Sequence, residues 1–343
     1  MSNNFSTSDQ LIQDLRKATV DLHRVNPWMG FFRFSGIGLV VIGLLTLAWL
    51  TQNAFIFLGL VLAAGAVYAL WLICTHDAVH HTLTGWVPFE NLASRLISWP
   101  LLWPYGLYAE LHRLHHGWNG LNLCDPERVQ WTYQEYQSVN PLLQWYVRRQ
   151  WIVDIFVLGG IGMIVKTVMG ALRFQSVTPS IRFQLFLDAA GILLVQGAFL
   201  TVAMLHHAVF KYLICWFILE RIIGVVIQTR DHLEHYALWG RFGGHQITQL
   251  YACRNLKTSP VIGWLMGGLN YHAVHHTFPG IPFNHLPEAF QRIQAVLRRH
   301  HLPLMKLDGG YFQEFRRLSQ QPSLIGESDL TNLTGRHQMI PVG

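Results

Sequence analysis

Charge is scarce in this sequence. Only 13% of its 343 residues are Asp, Glu, Lys or Arg, about half of the roughly 25% usual in soluble domains. With 51% hydrophobic residues and a mean hydropathy of +0.25, the deficit argues against an ordinary soluble domain and for a chain that lives in a bilayer. Acids are scarcer than bases, 19 against 25, for a net charge of +6. The cations flank apolar runs instead of forming a stripe, so they read as loop charges at a membrane and not as a nucleic-acid footprint. Cysteine is scarce as well. Cys74, Cys124, Cys215 and Cys253 form no CxxC pair, which excludes a rubredoxin-like or zinc-ribbon site and leaves isolated buried thiols as the expectation. HExxH is absent, so helix-borne zinc hydrolysis is not encoded. No cleavable signal peptide is expected. Residues 1–30 carry Leu11, Ile12, Leu15 and Leu22 at helical spacing, an expected interfacial helix before the first span. No repeat or linker interrupts the chain, and one domain over 1–343 is expected.

What the sequence does have is apolar length. From Phe34 to Thr75 no residue is charged, enough helix to cross a hydrocarbon core of about 30 Å twice. Thr51, Gln52 and Asn53 break the run, so a hairpin of helices at 33–50 and 54–75 is expected. Its tip lacks Lys and Arg, whereas its open ends carry Arg16, Lys17, Arg24, Arg33, Arg95 and Arg113. The positive-inside rule makes those ends cytoplasmic. Residues 96–109 are apolar but too short to span, and they contain Pro100 and Pro104; an interfacial or re-entrant segment is expected. Three apolar stretches follow, at about 151–172, 183–207 and 208–229. The first is expected not to cross, because Arg148 and Arg149 precede it, Arg173 and Arg182 follow it, and Asp154 and Lys166 interrupt it. Glu220 and Arg221 inside the last stretch are expected to pair with each other. Residues 286–300 predict an amphipathic helix, and 318–343 a loose polar tail. The fold class is therefore all-α and integral to the membrane, with about four transmembrane helices, interfacial helices and a cytoplasmic histidine-rich cap.

Histidine is in excess, with 19 copies, and eleven of them fall into four clusters. These are His76-Asp-Ala-Val-His80-His81, His112-Arg-Leu-His115-His116, Asp231-His232-Leu-Glu-His235 and His272-Ala-Val-His275-His276. Residues i, i+3 and i+4 share a helix face, so each HxxHH set is expected to aim at one point. Neutral imidazole binds iron, copper, nickel and zinc, and eight to eleven imidazoles can serve two ions. The first and third clusters begin at the predicted cytoplasmic helix ends, and the others lie in the loops beyond, so all can converge beneath the membrane. A metal transporter would instead hold its ligands near the midplane. His206, His207, His245, His285, His300 and His301 fit no cluster and are expected at surfaces. Asp77, Asp125, Glu127, Asp231 and Glu234 lie beside the clusters. Asp77 and Glu234 are expected to orient ligand imidazoles from behind.

These boxes, in this order, resemble those of the membrane fatty-acid desaturase and hydroxylase superfamily. Its HxxxH(H), HxxHH and final HxxHH boxes correspond to His76/His80/His81, His112/His115/His116 and His272/His275/His276. The flanks agree: Asp125-Pro126-Glu127 after the second box, Asn270-Tyr271 before the last, and Phe278-Pro279-Gly-Ile-Pro282 with Leu286-Pro287 after it. The resemblance covers about residues 30–300 and implies two iron ions, dioxygen as co-substrate and a lipid or fatty-acyl substrate from the bilayer. It implies that His235 and His232 add to the ligand set. It also implies a separate electron-donor protein of ferredoxin or cytochrome b5 type, since neither is fused here. The last box begins with His272 and not Gln, which argues against a front-end desaturase. Desaturation of fatty acyl chains is the leading expectation. A hydroxylase or ketolase of a carotenoid or other lipid, and an oxidative decarboxylase making terminal alkenes, share the same boxes. A metal transporter or a haem cytochrome is the non-enzyme alternative.

Overall fold

The computed structural model describes residues 3–240, 242–320 and 324–326. Among these the protein is helical, without a β-strand and with only isolated bridges. Helix α1 (Asn3–Thr19) precedes a hairpin of α2 (Pro27–Leu50) and α3 (Ala54–Val79). Asn26 and Asn53 cap the two hairpin helices by accepting backbone N–H bonds, as N-cap side chains do. Both helices are longer than expected. The uncharged run sets only the part that sits in hydrocarbon, and α3 carries on to place His76 in its last turn.

The chain then dips inward and returns. Helix α4 (Val87–Ser98) leads to a tight tip at Trp99–Leu101, and α5 (Tyr105–Trp118) leads back out. The tip is satisfied by side chains of the bundle. The Ile97 carbonyl accepts from Tyr68 Oη at 2.7 Å, and the Pro100 carbonyl from Gln196 Nε2 at 2.8 Å and Trp216 Nε1 at 3.1 Å. Irregular backbone at that depth is tolerated only where its polar groups find partners. Of the two forms expected for this segment, interfacial or re-entrant, a tip held inside the bundle fits the re-entrant one.

A short helix, α6 (Tyr133–Ser138), precedes α7 (Pro141–Ile152) and α8 (Gly159–Phe174), which a π-helical turn joins. By length and apolar composition four helices are able to cross a membrane: 27–50, 54–79, the joined 141–174, and 180–205. Contacts decide how the third runs. Asp154 meets His232, Gly159 and Gly160 pack on Gly224, and Lys166 returns to Asp231. Both arms thus reach the same end of the next long helix pair, α9 (Ser180–Leu205) and α10 (Val209–His235). The 141–174 segment is a wedge that enters and leaves on one side, as its flanking charges predict. Gly159, at φ +54°, makes the break. Glu220 and Arg221 pair with each other as expected, and they also cap the break: Glu220 accepts from Ile161 N, and Arg221 donates to the Val157 and Leu158 carbonyls. At the far end Lys211 Nζ bonds the Trp49 and Thr51 carbonyls at 2.6 and 2.7 Å, so the tips of the two hairpins meet. Their histidine-bearing ends meet at the other side.

The cap is built from α11 (His245–Tyr251), α12 (Pro260–Leu265), α13 (His272–Thr277), α14 (Leu286–Arg299) and α15 (Tyr311–Leu318). The amphipathic helix α14 buries Leu286, Ile293, Val296 and Leu297. Against it lies α1, whose Leu11 and Leu15 are buried with Ala273, Val274 and Phe278. The apolar stripe of the N-terminal helix thus packs against protein, because α14 offers a matching apolar stripe. Of the predicted tail, residues 321–323 and 327–343 lie outside the described residues. Ile325 is buried and pairs with Trp131 and Tyr133 backbone.

Candidate metal centre

Four helix ends deliver the histidines. His76 and His80 come from α3, His112, His115 and His116 from α5, His235 from α10, and His272, His275 and His276 from α13. They form two groups. His76, His80, His112, His116 and His275 make the first, and His235, His272 and His276, with Cys253, make the second; within each, the ligand atoms lie within 4.8 Å of one another. Facing Nε2 atoms are 3.1 Å apart for His112–His116, 3.2 Å for His116–His275 and 2.9 Å for His235–His272. Such spacings suit nitrogens sharing one ion through bonds of about 2.0–2.1 Å. His115 turns to the second group, with ring centroids 4.7 Å from His235 and 4.9 Å from His276. The two groups touch where His116 stacks on His276, at 4.1 Å and 8°.

Each HxxHH box therefore splits, unlike the expectation of one target per box. His112 and His116 serve the first group and His115 the second; His272 and His276 serve the second and His275 the first.

Polar atoms without partners test whether the site fits a metal. The Nε2 atoms of His76, His80, His115 and His276 are buried and make no hydrogen bond. Buried imidazoles normally find partners, so nitrogens left facing one another fit metal ligation. Burial first, and then neighbouring imidazoles, hold His116, His272, His275 and His276 well below the usual histidine range, which leaves them neutral with lone pairs free. His115 differs. Burial would lower it, but Asp125 and Glu127 outweigh burial and raise it to about 9.

The partners behind the rings were only partly foreseen. His112 Nδ1 lies 2.9 Å from Glu127, and His115 Nδ1 2.9 Å from Asp125; both acids come from the loop after the second box. His276 Nδ1 lies 3.1 Å from Gln249 Oε1, which accepts from Asn119 at 3.0 Å. Cys253 Sγ lies 3.9 Å from His235 Nδ1. Gln249, Asn119 and Cys253 carry no signal in the sequence, whereas the Asp-Pro-Glu turn does. Asp77 and Glu234 stand elsewhere than behind the rings. Asp77 binds Arg33 at 2.7 Å and is 3.6 Å from His76 Nδ1, beyond hydrogen-bond range. Glu234 pairs with Arg230 at 3.2 Å and approaches His272 at 3.5 Å on Nε2, the nitrogen that faces His235.

Two predicted ligands are not brought in. His81, in left-handed backbone at φ +56°, points outward to Glu90 at 3.1 Å. His232 is buried away from both groups, bonded to the Gln228 carbonyl at 2.9 Å and to Asp154 at 3.2 Å.

Comparisons with known proteins give the family. Residues 49–307 match the model of the family described as "Fatty acid desaturase". A Delta(8)-fatty-acid desaturase of Euglena gracilis is 22% identical over 80% of this chain and 69% of its own length. The Delta(5) fatty acid desaturase fat-4 of Caenorhabditis elegans is 23% identical over 71% of this chain and 58% of its own. A fatty acid conjugase, FAC2 B of Calendula officinalis, is 24% identical over 82% of this chain and 75% of its own. The family match runs from the first hairpin's tip to beyond the last histidine box, over about three quarters of the chain, and the apolar helices it spans bring those boxes into one cap; the chain belongs to the fatty acid desaturase family, as a multi-pass membrane oxidoreductase.

Proposed function

We propose that this protein desaturates fatty acyl chains using dioxygen and two iron ions, one at each imidazole group. The observation that carries this reading is a cavity against His76. It holds about 1080 Å³ of empty space, part of it open to the surroundings, and is lined by Leu72, Ile73, Met163, Ile164, Ile223 and Ile227. Apolar clefts of this kind take a hydrocarbon chain, and this one would place such a chain beside the first group. Imidazoles alone suit several metals; a redox metal is required because side-chain acid–base chemistry does not break an unactivated C–H bond. Bound iron would supply dioxygen activation and hydrogen abstraction.

The chain's own residues do the rest. Nine imidazoles, eight of them buried and His80 half-buried, would hold the ions, Asp125 and Glu127 fix His115 and His112, and the apolar walls would hold the substrate and keep water out. Glu127, Lys166, Arg230 and Asp231 line the cavity beside His76 and offer partners for a polar head group. The balance is simple. A CH2–CH2 unit loses two hydrogens, and dioxygen takes them with two electrons and two protons to leave two waters. The electrons come from a separate small electron-transfer protein. Basic loops at the histidine-bearing ends support a cytoplasmic cap.

The test is purified protein reconstituted with ferrous iron, a reducing system and saturated acyl lipids, followed by product mass spectrometry. An alkene that depends on dioxygen and disappears in His115→Ala and His275→Ala supports the reading. An alcohol or terminal alkene as sole product, or unchanged product in either variant, overturns it. Metal analysis should find iron without a Soret band.

A further inference from the structure

One buried acid beside the metal centre has an oxygen that the protein leaves unpaired. Glu234, the residue before His235 on α10, is 1% exposed. Its side chain has one oxygen, Oε1, that is buried and makes no hydrogen bond among the described residues. The other, Oε2, meets Arg230 Nε at 3.2 Å and His272 Nε2 at 3.5 Å. That same His272 nitrogen faces His235 Nε2 at 2.9 Å, so the carboxylate stands on the metal-facing side of the second group. The other acids near the rings do not. Asp77 approaches His76 at Nδ1 and is taken by Arg33 at 2.7 Å. Asp125 is spent on His115 Nδ1. Glu127 is spent on His112 Nδ1 and comes no nearer than 3.9 Å to His115 Nε2.

Distance and charge favour ligation over a hydrogen bond. The 3.5 Å contact is longer than N–H···O bonds of about 2.7–3.2 Å. Two donor atoms about 2.1 Å from one ion, at about 90–110° to each other, lie about 3.0–3.4 Å apart. The 2.9 Å from His272 to His235 and the 3.5 Å from His272 to Glu234 bracket that span. The second group gathers His115, His235, His272 and His276, one imidazole fewer than the first, so it has room for another donor. Neutral imidazoles offset none of the charge of two buried divalent ions, and buried charge is costly unless paired. A carboxylate on the metal-facing side offsets part of it. Arg230 on the same carboxylate is the kind of partner that ligating carboxylates keep.

We propose that Glu234 is a metal ligand, whose carboxylate completes the second imidazole group and gives its ion an oxygen donor that the histidine boxes do not supply. The proposal rests on the two-ion reading above, but it concerns ligation and not turnover.

The experiment uses the full-length protein in detergent, stripped of metal and reloaded with ferrous iron enriched in the Mössbauer isotope. Wild type is compared with Glu234→Gln, which keeps the side chain's size and an oxygen for Arg230 but removes the negative charge. In the variant one of the two iron signals should change, and that ion should pass to a chelator at least about tenfold faster than in wild type. A carboxylate that only pairs with Arg230 would show its loss in the unfolding of the metal-free protein, with both iron signals and both release rates as in wild type; that result overturns the proposal. Should Glu234→Gln fail to fold, Glu234→Asp keeps the charge and draws the carboxylate back by one methylene. It should alter the same signal and speed the same release, and wild-type behaviour there overturns the proposal equally. Two ions per wild-type chain with neither variant altered strike Glu234 from the ligand set and leave the two-ion reading standing. Fewer than two ions in reloaded wild type overturn that reading, and this proposal with it.

Discussion

The two imidazole groups differ in what surrounds them. The first faces the membrane side. His76 opens onto the apolar cavity, and its neighbour His112 is backed by the Glu127 carboxylate. The second sits inside the cap, where uncharged Gln249 and Cys253 stand behind His276 and His235, and the Asp125 carboxylate behind His115. Carboxylate-backed imidazoles are better donors, and residues behind the ligands tune a metal nearly as much as the ligands do. The groups therefore differ mainly in setting, one opening onto the apolar cavity and one lying behind it in the cap, although both draw on the same two HxxHH boxes.

Removing one ligand from each group is the strongest way to break that comparison. His275→Ala should lose metal from the first group and His272→Ala from the second, each lowering iron per chain by about half and activity by more than about 100-fold. Metal analysis of the two purified variants checks this, and loss of both ions from either variant would show that the groups do not fill separately. Next in size are changes behind the ligands. Glu127→Gln and Gln249→Leu should each weaken binding at their own group by about 10- to 100-fold, read as chelator sensitivity. Mössbauer spectra of iron-loaded protein should show a different site altered in each.

A smaller effect is expected where the sequence suggests a ligand and the fold supplies none. His232→Ala breaks a buried contact with Asp154 that holds the re-entrant wedge, and it should lower stability by about 1–3 kcal/mol in thermal unfolding with iron per folded chain unchanged. His81→Ala should do least. Its ring is 43% exposed and lies 3.1 Å from the Glu90 carboxylate, so metal content and activity should stay near wild type; a lost ion would return His81 to the ligand set.

Much of the fold was legible because apolar length and charge are local properties. The uncharged run from Phe34 to Thr75 sets a hairpin, and the charges around 151–172 predict a segment that does not cross. Composition alone ranks that segment among the spans; Asp154 and Lys166 meeting one end of α10 show that it turns back. The histidine clusters were legible for the same reason, since their spacing is a helix property. The partners behind the rings were not. Gln249 and Cys253 lie 27 and 18 residues in sequence from the imidazoles they stand behind, and Asn119 lies 130 from the Gln249 it bonds, so nothing in a local pattern marks these pairs. The covered stripe of α1 was hidden likewise, because an apolar helix face looks the same whether lipid or α14 lies against it.

By itself the sequence determined an all-helical membrane protein and the residues that gather in its cap. Only the tertiary structure decided how those residues divide. At about 100° per residue, the first and fifth positions of HxxHH lie about 40° apart on one side of the helix, and the fourth lies about 60° to the other side of the first. A helix lodged between two groups therefore gives two rings to one and one ring to the other. Which group receives the pair depends on how α5 and α13 are turned in the cap, and packing sets that rotation.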